Sequence, residues 1–305
     1  MKSKTAIIVG SGGQDGQLLS KQLVALNYSV IGVTRNTLDI LNSESVKKLI
    51  SKHQPTEVYF FAAYHHSSED EPVSDLELFE KSFDIHVHAL INFLGAIADY
   101  SPQSRLFYAS SSLIFGSSCY EIQSEDTEYN PEIPYAISKV AGMEACRYFR
   151  EKKGIFASVG ILYNHESPLR NPKFVTRKIV QAAVRIHRQG SGDLQLGNLN
   201  SIVDWGYAPD FVAAMHQMLQ MSVPKDFIIA TGEAHTVREF VEIAFTHVGL
   251  NYLDYVIEKA ETLSRTNRSR IGDSTRLKQE LGWRPSISFE KMVKLMVDAE
   301  LNSFA

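Results

Sequence analysis

A chain of 305 residues with 44% hydrophobic and 22% charged side chains can bury one large core, or one domain with a smaller companion. Its net charge of −4, with lysines and arginines interspersed among acids, leaves no basic footprint for nucleic acid or a membrane surface. The apolar run near the N-terminus is too short for a signal peptide, and no stretch approaches about 18 apolar residues. A cytoplasmic protein is expected, with Cys119 and Cys146 as free thiols outside any metal-ligand spacing.

Residues 5–10 read as a buried strand and residues 16–26 as an amphipathic helix. Between them Gly10, Gly13 and Gly16 keep a G-x-x-G-x-x-G spacing that encloses Gln14 and Asp15. Strand, glycine turn and helix in that order bring backbone N–H groups and a helix N-terminus to a pyrophosphate, which favours dinucleotide binding over a plain tight turn. The second strand, residues 29–33, leads into Arg35. An NAD enzyme would carry an acid there for the ribose 2′-hydroxyl, whereas arginine suits a 2′-phosphate, so Arg35 points to NADP. Asp39 and Ile40 open the next unit, and Ser43 is expected to cap a helix running to about residue 52. Residues 57–63 read as a buried strand ending in Ala62 and Ala63, small enough for a cofactor to lie against the backbone. Residues 64–81 read as a polar, acidic loop, with His65 and His66 either exposed or part of a proton relay.

A helix over residues 82–98 leads to a strand over 105–110 that ends in Ser110, Ser111 and Ser112. A hydroxyl at the C-terminal end of a parallel strand points into the crevice where open α/β sheets bind ligands. After a loop, a helix to about residue 153 opens on Tyr135 and carries Lys139 one turn later on the same face. An unperturbed phenol titrates at about 10. A neighbouring ammonium is expected to lower that value, so the pair can move a proton to or from a substrate hydroxyl. Strands and helices alternate as far as Leu162, the pattern of a doubly wound parallel sheet. Residues 1–163 are thus expected to form the dinucleotide-binding domain. The remainder, 164–305, reads as a smaller substrate-gripping portion interleaved with the last sheet strands. Helices are expected there at 173–188 and 236–249, short strands at 194–197 and 227–230, and a loop and helix over 204–219.

The segments GSGGQDG (10–16), LYNHESP (162–168), FVTRKI (174–179), DWGYAPDFV (204–212), ATGEAHTVREF (230–240) and LGW (281–283) resemble the extended short-chain dehydrogenase/reductase superfamily. Within it the chain is most similar to the GDP-mannose 4,6-dehydratases, nearly end to end. The resemblance implies an NADP-dependent Rossmann enzyme acting on a nucleotide-linked sugar, a GDP-hexose, with no metal. By position it assigns cofactor contacts to Gly10, Gly13, Gln14, Asp15, Gly16, Arg35, Asp39, Ile40, Ala62, Ala63, His165 and Arg170. It gives the catalytic roles to Ser111, Tyr135 and Lys139, and substrate contacts to Asn164, Val175, Lys178 and Gly197.

Three departures from the family pattern bear on the reaction. The dehydratase motif Ser-Thr-Ser-Glu-Leu-Tyr-Gly reads Ser-Ser-Ser-Leu-Ile-Phe-Gly at 110–116, so Leu113 stands where the resemblance puts the glutamate that takes the C5 proton. The arginine before Asp-Trp, a diphosphate contact by resemblance, is Val203, which leaves that role to Arg268 or its neighbours Arg265 and Arg270. The arginine-rich loop after the second strand is missing, so a homodimer through helices 82–98 and 135–153 is expected in place of a tetramer. Hydride transfer at C4 asks only for Ser111, Tyr135, Lys139 and a nicotinamide. Loss of water across C5–C6 asks for a further base, which leucine cannot be. A 4-keto-sugar reductase or epimerase is therefore expected. The alternatives are a dehydratase whose base has moved to Glu69, Asp70, His65, His66 or Glu166, and an NADP-binding protein without turnover.

Overall fold

Apolar strand runs that cannot face water on either side pair in parallel in the computed structural model, which describes residues 4–66, 70–117, 121–259 and 270–303. In chain order the elements are β1 (Thr5–Val9), α1 (Gln14–Ala25), β2 (Ser29–Val33), α2 (Ser43–His53), β3 (Glu57–Phe60), α3 (Asp75–Phe83), α4 (Ala89–Tyr100), β4 (Arg105–Ser111), β5 (Ile122–Gln123) and α5 (Pro134–Lys153). There follow β6 (Phe156–Leu162), β7 (Asn164–Glu166), α6 (Val175–Gln189), β8 (Leu194–Leu196), β9 (Ile202–Tyr207), α7 (Ala208–Met218) and β10 (Phe227–Ile229). The last are β11 (Ala234–Thr236), α8 (Val237–His247), β12 (Val256–Glu258), β13 (Ile271–Gly272), α9 (Thr275–Leu281) and α10 (Phe289–Asn302).

The main sheet runs β2-β1-β3-β4-β6-β10, all parallel. Its order reverses beside β1, which opens a crevice at the carboxyl ends of β1 and β3. One face is covered by α2, α4 and α5, whose Ile50, Phe93, Ile97 and Met143 pack on Val9, Phe60 and Tyr108. The other is covered by α1, α7 and α9, through Leu19, Leu23, Phe211, Met215 and Leu277. This is the doubly wound parallel sheet expected from the alternation. A separate apolar cluster, with Ile179, Trp205, Phe240 and Met292 among its members, joins α6, α8 and α10 into a smaller second portion. Because β10 completes the main sheet, residues after 163 contribute to both portions. No helix among the described residues is long and apolar enough to cross a membrane.

Several local expectations change. The cap of α2 is Asn42, whose side chain accepts the Ser45 N–H at 3.0 Å, and not Ser43. The stretch 64–81 is not all loop, since Ser74 caps α3 by accepting the Glu77 N–H. From α3 the chain runs on through a π-helical turn, Asp84–His88, into α4. The residues read as a loop before α7 form strand β9, because the Asp204 carboxylate can be buried there without orphaning it. It accepts the N–H groups of Thr231, Gly232 and Gly272 and the Thr231 hydroxyl. The strand ending in Ala62 and Ala63 stops at Phe60.

Candidate active site

The glycine turn lies hard against the end of β3. Gly10 has φ +92°, and a Cβ on it would come 2.9 Å from the Ala62 nitrogen. A Cβ on Gly16 would come 2.5 Å from the Gly10 oxygen, so turn and helix need a glycine at both places. Gly13 is the N-cap of α1 and supplies no side-chain cap. The first N–H groups of the helix are left for an anion at the crevice, and these residues fit a dinucleotide pyrophosphate. Arg35 is exposed in a tight turn after β2, closed by hydrogen bonds between Thr34 and Thr37. Lys81 of α3 lies within range of its charge. Asp39 accepts the Leu41 N–H at 3.0 Å, while Ile40 packs on the core and Ala63 is exposed beyond β3.

At the end of β4, Ser111 accepts the Leu113 N–H at 3.2 Å and caps the short turn Ser112–Phe115. The same hydroxyl lies close enough to the Tyr135 phenol to draw its pKa down. Lys139 is buried one turn along α5, donates to the Ala109 carbonyl at 2.8 Å, and holds its ammonium 5.5 Å from the Tyr135 ring centroid. The structure thus brings Ser111, Tyr135 and Lys139 together. Their electrostatics differ from expectation. Burial pushes Tyr135 up to about 12, against a smaller downward pull from Ser111, and burial brings Lys139 down to about 7. Desolvation therefore sets the phenol's value, the downward pull comes from Ser111 and Arg170 and not from the lysine, and Tyr135 holds its proton as a donor.

His86 was not singled out by the sequence, and no local signal marks it, because only the π-helical turn aims it inward. Its Nε2 accepts the Tyr64 N–H at 3.0 Å, which leaves Nδ1–H to donate to Ser138 Oγ at 2.7 Å. Ser138 Oγ in turn donates to the Tyr135 carbonyl at 2.8 Å, and the His86 ring stands edge-on to the Tyr135 ring at 5.0 Å. Burial, with the Lys139 charge behind it, drives its pKa far down, so the imidazole stays neutral.

Gln14, Asp15 and His165, expected on the cofactor, spend their side chains on each other. His165 Nε2 meets Asp15 at 3.0 Å, its Nδ1–H donates to the Tyr163 carbonyl at 2.7 Å, and its ring stacks on Phe211. Both ring nitrogens are thus engaged within the protein. Gln14 donates to the His165 carbonyl at 3.0 Å and accepts from Ser167 at 2.8 Å. The start of α1 is thereby tied to β7.

Burial pulls the His165 pKa down, but the Asp15 charge and hydrogen bond together outweigh it and raise it. Burial pushes Asp15 up, and His165 with Arg170 outweighs that and lowers it. The His165 contribution is complete below its unfolded value of 6.5 and is lost as pH rises through the raised folded value. The Asp15 contribution is present above 3.8 and is lost as pH falls through the lowered one. The melting-temperature gap between wild type and Asp15→Asn should accordingly be widest between about pH 4 and 6.5 and narrow at alkaline pH. A gap that stays equally wide from pH 4 into the alkaline range would show that the pair is not ionised.

Ser111 pairs in register with Leu162, which puts the exposed Asn164 at the same sheet edge. Arg170 stacks over Phe174 at 3.6 Å and stands 3.4 Å from the buried Glu166, which also accepts the Thr176 hydroxyl at 2.6 Å. Val175 opens α6, Lys178 follows one turn later with burial lowering its pKa, and Gly197 follows β8. Lys173 pairs with Asp70 and draws the loop after β3 to the start of α6. Arg270 is bridged by backbone to Val203 and donates to the Gly116 carbonyl at 3.2 Å. Arg265, Arg268, Glu69 and Cys119 lie outside the described residues; Cys146 is a buried free thiol.

Residues 36–296 match the family model of GDP-mannose 4,6 dehydratase. The chain is 36% identical to GDP-mannose 4,6 dehydratase 2 of Arabidopsis thaliana, covering 98% of itself and 87% of that protein. It is 32% identical to the GDP-mannose 4,6 dehydratase of Homo sapiens, with 97% and 91% covered. Among solved structures it is similar to that of RMD from Pseudomonas aeruginosa complexed with NADPH, with a TM-score of 0.85. The sequence identity is 19%, 99% of this chain and 100% of that one are covered, and the likeness is one of fold.

Proposed function

Since the chain belongs to the GDP-mannose 4,6-dehydratase family, we propose that it is an NADP-dependent enzyme that exchanges hydride at C4 of a GDP-linked hexose, as a 4-keto-sugar reductase or epimerase. The observation that carries this reading is Leu113 in the turn capped by Ser111, next to an assembled Ser111, Tyr135 and Lys139. NADP, when bound, supplies or accepts the hydride. The glycine turn and the start of α1 would hold its pyrophosphate, and Arg35 its 2′-phosphate.

Tyr135 keeps its proton at neutral pH and gives it to O4 as negative charge develops there, while the Ser111 hydroxyl steadies the same oxygen. Lys139, anchored on Ala109, adds a partly protonated cation behind the phenol. A proton-holding phenol suits reduction of a ketone. Asn164 and the first turn of α6 would hold the nucleotide sugar, with Arg270 beside Val203 as the cation for its diphosphate. The test is incubation with GDP-mannose and with its 4-keto-6-deoxy product, each with NADP or NADPH, followed by mass spectrometry. The keto sugar should gain a hydride and a proton, and GDP-mannose should lose no water. Water loss from GDP-mannose would favour the second reading, a dehydratase with a displaced base, which the names of the 30–36% identical relatives support.

Cofactor choice is tested separately. A charge-assisted hydrogen bond to the 2′-phosphate is worth about 1.5–3 kcal/mol, so Arg35→Asp should weaken NADP binding by roughly ten- to a hundredfold and spare NAD. Fluorescence titration of both cofactors measures it. A wild type that binds NAD as tightly as NADP would sink the assignment.

A further inference from the structure

The catalytic crevice gives no role to the LGW segment at 281–283 or to the stretch that follows it. There Trp283 donates its indole N–H to the Asp210 carbonyl at 2.9 Å, and the Ser286 N–H donates to the Asp210 carboxylate at 2.8 Å. The chain between α9 and α10 is thus fixed to the first turn of α7. Held in this way, it walls a cleft of about 440 Å³ between the end of β9, the turn after β10 and the start of α10. A space of that size takes a small molecule and is more than a bare ion needs. None of the residues lining it belongs to the glycine turn or to the cluster of Ser111, Tyr135 and Lys139.

The lining combines apolar Trp205, Ile287 and Phe289 with two cations, Lys278 and Arg284. Arg284 is exposed and has no hydrogen bond or ion pair among the described residues. Lys278 makes one long bond, to the Thr231 carbonyl at 3.5 Å, which leaves two of its three N–H donors. Ser288 caps α10 by accepting the Lys291 N–H, so the N–H groups of Phe289 and Glu290 stay open at the same place. Among the described residues lining the cleft Glu233 is the single acid, and it lies 3.8 Å from His235. Beyond Ser288 and Phe289 opens a second cavity, of about 310 Å³, lined by Glu239, Glu242 and Glu290. Negative charge is therefore drawn to the Arg284 end and repelled from the other. That polarity disfavours a long polyanion and suits one doubly charged group on a compact, uncharged body.

We propose that this cleft binds a small phosphate monoester, with the phosphate on Arg284, Lys278 and the first N–H groups of α10 and the uncharged body against Ile287 and Phe289. A phosphate monoester carries nearly two negative charges at neutral pH. The arginine fork matches two of its oxygens, the lysine adds a point charge, and the helix start favours an anion.

Calorimetric titration of wild type with phenyl phosphate, inorganic phosphate, benzoate and inorganic tripolyphosphate tests the site. NADP and GDP are kept saturating, so that the probes do not enter the catalytic crevice. Phenyl phosphate should bind most tightly, inorganic phosphate less tightly for want of a body, and benzoate about tenfold or more weakly than phenyl phosphate. Arg284→Gln and Lys278→Gln should each weaken phenyl phosphate by roughly ten- to a hundredfold, the loss of a charge-assisted hydrogen bond. Melting temperature and NADP affinity should stay at wild-type values, because Arg284 is exposed and Lys278 makes only one long bond. A wild type that does not bind phenyl phosphate, or variants that bind it as tightly as wild type, overturns the proposal. So does tighter binding of tripolyphosphate than of phenyl phosphate, which would mark a general basic patch.

Discussion

Tyr135→Phe should lower hydride exchange at C4 by about 10²–10⁴-fold while leaving cofactor affinity nearly unchanged. The ring sits among His65, His86 and the Lys139 ammonium, at 5.7, 5.0 and 5.5 Å, and phenylalanine keeps all three packing contacts. What goes is the proton for O4. The Ser111 hydroxyl keeps the hydrogen bond from the Leu113 N–H, so the end of β4 need not rearrange. Single-turnover oxidation of NADPH with a 4-keto sugar gives the rate, and cofactor titration gives the affinity. A variant that retains most of its rate would place the proton transfer on another group.

On the proposed reading wild type should release no water from GDP-mannose, and Leu113→Glu should make it do so slowly. Position 113 is half-buried in the turn that Ser111 caps, so a carboxylate there would start within reach of the O4 groups. Ile114 and Phe115 beside it are fully buried and were not shaped around a charge. Burial will raise the pKa of the new carboxyl, which suits a base that must later give up its proton, and should cost about 1–3 kcal/mol of stability. Formation of the 4-keto-6-deoxy sugar from GDP-mannose, with deuterium entering at C5 in D2O, is the measurement. If wild type already gives this product, the missing glutamate is not what decides the reaction.

What could be read in the sequence is what neighbouring residues decide among themselves. β2, β4 and α5 appear with the expected limits or within a residue of them, because an apolar strand run or a long helical face announces itself. Ser111, Tyr135 and Lys139 were legible because a strand end and one helical turn bring them together. α3 was missed although Ser74 and Glu77 carried a capping signal, since its Leu76 and Phe79 lie on the surface and give no buried stripe. β9 was missed because a buried Asp204 makes sense only once Thr231, Gly232 and Gly272 arrive from elsewhere in the chain. The pairing of Asp15 with His165 and the bonds of His86 are likewise made by tertiary structure alone, between segments that carry no mark of each other.

The position of β10 has a consequence for how the chain is made. Phe227–Ile229 is the neighbour of β6, yet α6, β8, β9 and α7 are all synthesised between them. Until β10 emerges from the ribosome, β6, buried from Ala157 to Leu162 in the finished fold, presents an unpaired edge, and Leu19 and Leu23 of α1 lack the cover of α7. An open apolar edge of this kind is a template for pairing with other chains. A fragment cut after residue 163 would stay in that condition permanently, and should associate with itself when expressed. The nascent protein passes through the same condition once, and for that interval depends on speed of translation or on a chaperone.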